Sequence, residues 1–540
     1  MSDRSICSYE HVPDDVSQFR ASAAGQEVLT EDGTWCCPHP KYGASDYCIF
    51  HATDIDDASA ARRLLIKQVS ASSTTDTNDR SHRFIGAKLS ELDLSRLVLE
   101  AKHNRPLDFR HANIETLNFE HSDIYIPINL SGAEIGTLDG HNTTFGNRIM
   151  CRNANIGRAT MESSQFNRRT TFDQTDFSRA NFFNTVFHER VTFNRCSFSG
   201  LSLFNNTNFN HVADFSQTRW EGGNHFSDVV FQRQADFTEL RLVDDLSITN
   251  SMFHSKIQMV PRLDAENVPI RVDFTDTTLR SGELFCYSND DLLYDLTDAT
   301  IGNIDLESDS PIDLHNLIFL NTTFDGFEFS RYTDSLLDIN WYIHRTEPSS
   351  MLKNNVSGLN PLSNPSVQTS DDTDMVFKSD DGTEPQPGVL RSTYLRAKNG
   401  ASEAGDDTAS SEFFLREMEF KRKAHYKKFR EHRSLKGLKD WLYNWFYNIV
   451  AGYGERPSRP FIVSVLIIIG FANVYLAQSE QTYSPAGLRT YFEFSFQAFV
   501  AFVVGSPPTT EFADLAAVQA FIGAFMIALF VFTLTRSIHR

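Results

Sequence analysis

Large apolar residues recur every five residues over nearly half of this 540-residue chain, and no feature limits its fold more. Phe172, Phe177, Phe182 and Phe187 keep the step; one extra residue slips in, and Phe193, Phe198 and Leu203 resume it. Phe209, Phe215, Trp220, Phe226, Phe231 and Phe237 continue at steps of five or six. Upstream, Phe109, Ile114, Phe119, Ile124, Leu130 and Ile135 carry the same beat; downstream, Leu314, Phe319, Phe324 and Phe329 do so. An α-helix repeats every ~3.6 residues and a strand every ~2, so neither produces a period of five. A small residue often stands two places before the large one, as Ala112, Ala133, Ala180 and Ala213 do. One large and one small inward residue per five-residue side suits a narrow, square β-solenoid, whose coils bury apolar residues only by stacking on their neighbours.

The repeat, clearest over 166–242, resembles that of the pentapeptide-repeat family, A-(N/D)-L/F-x-x. The resemblance implies a mainly β fold, a right-handed quadrilateral β-helix with four repeats per coil. Its Phe and Leu side chains would stack as ladders about 4.8 Å apart, the ordinary strand spacing. Residues 160–242 are then expected to form a β-helix with Phe172, Phe177, Phe187, Phe193, Phe198, Phe209, Phe215 and Phe237 inside. The 45 Phe residues are thereby explained as core. The beat fades between about 241 and 269 and again near 281–295, which predicts irregular coils, insertions or a junction within a solenoid spanning 84–345.

A chain of this length exceeds what one hydrophobic core holds, about 250–300 residues. Its 70 Asp and Glu against 50 Lys and Arg give a formal net charge of -20, which argues against a general nucleic-acid binder. Residues 346–393 are rich in Ser, Asp, Pro and Gly and predict an acidic flexible linker. Helical signals begin at Tyr394, and the charged run that follows predicts a surface helix carrying Phe414, Met418 and Phe429. In 435–451, Leu438, Leu442, Trp445 and Ile449 share one helix face and Trp441, Tyr443 and Tyr447 add amphipathic rings. That pattern predicts a helix lying in a membrane interface, closing a 394–451 segment.

Pro460 is followed by some 17 residues without a charge, and Leu515–Thr535 is an uncharged run of about 21, which together predict two transmembrane helices. Lys436, Lys439, Arg456 and Arg459 precede the first and Arg536 and Arg540 follow the second, so both termini are expected in the cytoplasm. The MSDRSICSYEHVPDD start, with no apolar stretch behind a basic one, carries the same expectation. Between the spans, 491–504 predicts an apolar helix of about 14 residues, too short to cross, and a Gly-Pro break follows. From the interfacial helix to Arg540 the order of elements resembles the two-transmembrane ion-channel domain, with slide helix, outer helix, pore helix, filter loop and inner helix, the channel-like domain itself spanning 452–540. The resemblance implies a homotetramer, a permeant ion and lipid as partners, a filter loop at Val503, Val504, Gly505, Ser506, Pro507 and Pro508, and an inner helix with Gly523 and Ala524. Together with the repeats, the endings GYGERPSRP and FVFTLTRSIHR resemble channel-like proteins of halophilic archaea, in keeping with the acidic charge. The second glycine and aromatic of a T-V-G-Y-G potassium filter are missing, so potassium selectivity is not implied. The pore helix would aim its partly negative C-terminal end at Gly505, and Glu493 and Glu511 lie near the outer mouth, all of which favours a cation. Gly452, Tyr453 and Gly454 spell a filter-like GYG, but they precede the first span on its basic side, which predicts a turn.

Four of the seven Cys residues crowd into the first 60 positions, as Cys7, Cys36, Cys37 and Cys48, alongside His39 and His51. Zinc takes four thiolate or imidazole ligands tetrahedrally. Cys48 and His51 form a tight pair that Cys7 and one of Cys36 or Cys37 would complete; the expected set is Cys7, Cys37, Cys48 and His51, binding a structural zinc in a small 1–60 domain. No Ser/His/Asp order, phosphate loop or open metal site appears, and His188 and His211 fall at outward positions, so no enzyme activity is expected. The reading is an oligomeric membrane channel or channel-like pore with a cytoplasmic solenoid for gating or partner binding. Its alternative is a non-conducting, membrane-anchored scaffold whose solenoid face binds a protein.

Overall fold

The computed structural model describes residues 6–14, 16, 29–53, 57–71, 82–100, 105–263, 270–287, 291–309, 311–312, 314–344, 385–478, 485–504 and 512–538. The chain forms two compact units. The first holds residues 1–327, 334–339 and 343–383; the second holds 328–333, 340–342 and 384–540.

The first unit is a β-solenoid of about 10 turns, in which 31 strands among the described residues join one parallel ladder. Partners on successive coils lie 21 residues apart at Asn113↔Glu134 and Phe177↔Phe198, and 22 apart at Phe187↔Phe209 and Phe198↔Trp220. Each coil therefore has four sides of five or six residues. Inside, rings stack in register along the axis. Phe145, Phe166, Phe187, Phe209, Phe231 and Phe253 follow one another at centroid distances of 4.9, 4.7, 5.2, 4.8 and 4.5 Å. Phe172, Phe193, Phe215 and Phe237 do so at 5.0, 4.9 and 5.1 Å. The eight Phe residues expected inside are all buried.

One rung differs from its expected place. Leu203 is only half-buried, and the inward position belongs to Phe204, stacked at 5.1 Å on Phe182 and 4.6 Å on Phe226. The longer side falls between Phe198 and Phe204, because the partner spacing changes from 21 to 22 between Phe177↔Phe198 and Ala180↔Ser202. The weakening of the beat beyond residue 241 marks no break between two solenoids. The ladder continues through longer strands, Met252–Leu263, Thr278–Phe285 and Thr300–Glu307, with register shifts at Thr238/Leu240 and Phe253/Lys256.

The small inward positions close the corners. Thr143, Thr185, Thr207 and Thr277 each donate a side-chain hydrogen bond to a carbonyl of the preceding coil, at 2.6, 2.6, 2.8 and 2.8 Å. These bonds satisfy hydroxyls that burial would otherwise penalise. Alternate corners place a residue in the left-handed region, among them Asn142, Asn184, Asn206 and Asn250, a conformation Asn tolerates better than most side chains. Helix α1 (Ala58–Ala71) packs against the first strand, Lys88–Asp93, where Arg62 donates to Asp93 at 2.6 Å.

The short helix α2 (Thr333–Asp338) falls almost wholly in the first unit; in the second, α3 (Pro387–Glu403) and α4 (Asp407–His432) form an antiparallel hairpin. Helix α3 starts at Pro387, earlier than the Tyr394 read from sequence, because proline suits the first helical turn. The buried stripe of α4 is Phe413, Glu417 and Phe420, while Phe414 and Met418 are half-buried. Tyr394 stacks on Phe420 at 5.2 Å, and buried Glu417 takes Lys398 at 3.0 Å. Then follow α5 (Leu435–Ala451), α6 (Ser458–Gln478), α7 (Pro485–Val504) and α8 (Ala513–Ile538). Of the 346–393 linker, residues 346–384 lie outside the described residues.

Candidate metal centre and apolar helices

The N-terminal cluster is assembled from three chain segments. Short strands Glu10–His11 and Trp35–Cys36 pair antiparallel, and Cys37 donates its amide to Tyr9 O at 3.0 Å, which brings Cys7 and Cys37 together. Cys48 and His51 share a tight turn in which the His51 and Ala52 amides both bond to Cys48 O, at 3.0 and 2.9 Å. The ligand atoms of Cys7, Cys37, Cys48 and His51 all lie within 4.8 Å of one another, and all four residues are buried. Cys37 Sγ is 3.8 Å from Cys48 Sγ, and His51 Nδ1 is 3.7 Å from Cys7 Sγ and 3.1 Å from Cys48 Sγ. Bonds of about 2.3 Å to sulfur and 2.0 Å to nitrogen around a tetrahedral ion place ligand atoms roughly 3.5–3.8 Å apart, so the donor set fits a metal of zinc's size. Cys36, the other thiol weighed from sequence, is outside this group.

His51 Nε2 meets Ile85 O at 3.0 Å, which turns Nδ1 toward the thiols. Tyr9 stacks on the His51 ring at 3.9 Å, and the Cys48 amide donates to Cys7 Sγ at 3.1 Å. Hydrogen bonds from Cys37 and then Cys48 lower the pKa of the Cys7 thiol. The Cys37 thiol is pushed up, first by its bond with Cys48. A divalent cation would draw the remaining protons off these thiols. With four protein donors, an ion bound there would have no open coordination position.

Helices α6 and α8 are long and apolar enough to cross a membrane. Of their apolar stretches 28% and 22% is buried, which leaves most of that apolar surface uncovered within this chain. Helix α7 is longer than expected: it runs over 485–504, not 491–504. Arg489 and Glu493, four residues apart and paired at 3.1 Å, support the added turns. At about 1.5 Å per residue, its twenty residues reach roughly 30 Å, so shortness does not set α7 apart from the spans; its charged pair does. Where α8 crosses α7 there is no room for a side chain, since a Cβ on Gly523 would stand 2.0 Å from the Phe499 carbonyl oxygen. Ala524, singled out with it, is half-buried.

Sequence reasoning missed the polar contacts joining these three helices. Tyr475 of α6 donates to Gln519 Oε1 at 2.8 Å; Gln519 of α8 donates to Ser495 Oγ at 2.6 Å and to Ser495 O at 3.0 Å. Ser495 of α7 donates to Ile468 O of α6 at 2.8 Å, and all three side chains are buried. Their signal was Gln519, an amide inside an otherwise apolar run. Val503 and Val504 end α7, their side chains outside the described residues, as are Gly505, Ser506, Pro507 and Pro508. Gly452–Gly454 is the turn expected between α5 and α6, with all three residues left-handed and buried. On α5, Leu442, Tyr443, Trp445, Phe446 and Ile449 are exposed together.

These features define a β-solenoid protein with a buried Cys3His cluster and two helices fit to span a membrane. Comparison with family models, with curated proteins and with solved structures found no match.

Proposed function

We propose that this chain is one subunit of an oligomeric, cation-conducting membrane pore whose solenoid stands in the cytoplasm, and that it is not an enzyme. The observation that carries the proposal is the packing of α7 between two apolar helices. Backbone contact at Gly523 and Phe499 and the Tyr475–Gln519–Ser495 bonds hold a less apolar helix on the two spans, as a pore helix would be held. Helix α7, with its charged pair, would enter the membrane and return through the loop beginning at Gly505. One subunit supplies one such loop, so closure of a conduit takes several copies, four by resemblance to two-span channels. The exposed apolar face of α5 suits the membrane interface.

In the same proposal Cys7, Cys37, Cys48 and His51 hold a structural zinc that fastens the N-terminal knot to the first solenoid coil. Protein purified without chelator should contain one zinc per chain, lost in Cys37→Ser and kept in Cys36→Ser. The reverse pattern would transfer the ligand role.

Conduction is tested in planar bilayers with the full chain. Cation currents should appear, and cysteine at Gly505 or Ser506 should make them sensitive to impermeant thiol reagents on the side opposite the solenoid. Block only at Gly452 or Tyr453 would move the filter to the GYG turn. Intact oligomers without current would leave the non-conducting scaffold, with the solenoid surface as its protein-binding face.

A further inference from the structure

A cavity of about 150 Å³ lies in the second unit where α4, the Gly452–Gly454 turn and the start of α6 meet. Arg416, Arg422, Arg456 and Arg459 line it, with Glu419 as the one carboxylate among its lining residues. Glu419 is already engaged by Arg416 at 3.0 Å and Lys423 at 3.1 Å, and accepts from Tyr342 at 2.9 Å. Among the described residues Arg422 hydrogen-bonds the Tyr453 hydroxyl, at 3.3 Å, and Arg459 reaches Asn448 Oδ1 at 2.8 Å; both of those partners are neutral. Arg456 is exposed and makes no ion pair among the described residues. Three guanidinium groups that make no ion pair among the described residues thus converge on one cavity, in a chain whose formal net charge is -20.

Like charges gathered around a cavity raise its potential unless an anion enters. The planar forks of Arg match phosphate oxygens in pairs, and three of them exceed what a single carboxylate needs. The turn makes this convergence possible. Gly452, Tyr453 and Gly454, with φ of +53°, +58° and +86°, reverse the chain after α5 and bring Arg456 and Arg459 back beside Arg422. The neighbourhood also suits a phosphate at a membrane surface, since exposed Tyr443, Phe446 and Ile449 of α5 and Phe461 of α6 mark where apolar surface begins.

We infer that this cavity binds a phosphate-bearing anion through Arg422, Arg456 and Arg459. The phosphate is supplied either by a lipid headgroup or by a free phosphate compound. The site is separate from the pore and is independent of whether the pore conducts.

The full chain in neutral detergent is titrated with inorganic phosphate in one arm and with a short-chain phosphatidylglycerol in the other, against phosphatidylcholine, while thermal stability is followed. At least one phosphate probe should raise the melting temperature saturably, and phosphatidylcholine should not. Arg456→Gln and Arg422→Gln should each raise the half-saturating concentration about tenfold, as expected for losing a charge-assisted hydrogen bond. Arg430→Gln, on exposed α4 surface, should change nothing. Saturation by phosphatidylglycerol alone assigns the site to a lipid headgroup; saturation by inorganic phosphate, with or without the lipid, assigns recognition to the phosphate itself. No saturable response to either probe, or an equal loss in Arg430→Gln, overturns the site. Should Arg456→Gln fail to fold, Arg422→Gln decides alone.

Discussion

The solenoid and the helical unit hold themselves together by different rules. In the solenoid a residue's role follows from its place in a five- or six-residue step, and its neighbours are the equivalent residues one coil away, as in the Phe166, Phe187, Phe209 ladder. In the helical unit, decisive contacts join positions far apart in sequence with no repeat between them, such as Gly523 with Phe499 and Gln519 with Ser495. Periodic structure spreads its stability over many similar rungs; the helix trio concentrates specificity in a few contacts. A single substitution should therefore act through volume in the solenoid and through geometry in the helices.

The largest test lies in the solenoid. Phe204→Ala and Phe187→Ala should each cost about 3–5 kcal/mol through the cavity they leave, whereas Leu203→Ala should cost well under about 1 kcal/mol from its half-buried place. Denaturant melts of the three variants decide the rung assignment, and equal losses at 203 and 204 would erase it. A smaller effect is expected in the helices. Gly523→Leu forces α7 and α8 apart and should cost about 1–3 kcal/mol in the stability of the helical unit while solenoid melting stays unchanged. Unaltered stability of the helical unit in that variant would show that the α7–α8 approach is dispensable.

Gln519→Leu removes the partner of Tyr475 and Ser495 and should cost about 0.6–2 kcal/mol in a membrane environment. Adding Tyr475→Phe should then cost little more, because the hydroxyl has already lost its acceptor; strictly additive losses would deny the coupling. The smallest effect concerns pH. Burial first, then the neighbouring His111 and Arg110, lower the pKa of His11 from 6.5 to about 4, against the pull of Asp14. The unfolded chain takes up this proton below 6.5 and the folded chain does not until about 4, so stability falls as pH drops through that window. Melting midpoints between pH 7.5 and 5 should decline less steeply in His11→Gln than in the parent.

Much of the solenoid was legible because its geometry repeats. Once Phe172, Phe177 and Phe182 set the step, the inward direction of their successors followed, and the Cys48/His51 pair was readable from its three-residue spacing. The misplaced rung at Leu203 shows the limit: where a side gains a sixth residue, two neighbouring apolar side chains compete, and only coil-to-coil register chooses Phe204. The same holds in the helices, where α4 packed on Phe413 and Phe420, although Phe414 and Met418 form an equally periodic stripe.

The sequence by itself determined the β-helix, the two apolar helices and the GYG turn, because each rests on local period, hydropathy or backbone preference. Only the tertiary structure chose Cys37 over its neighbour Cys36, extended α7, joined Tyr475, Ser495 and Gln519, and gathered Arg422 with Arg456 and Arg459. These depend on distances between side chains many residues apart, which are fixed only when helices pack and turns close, and no one-dimensional pattern encodes them.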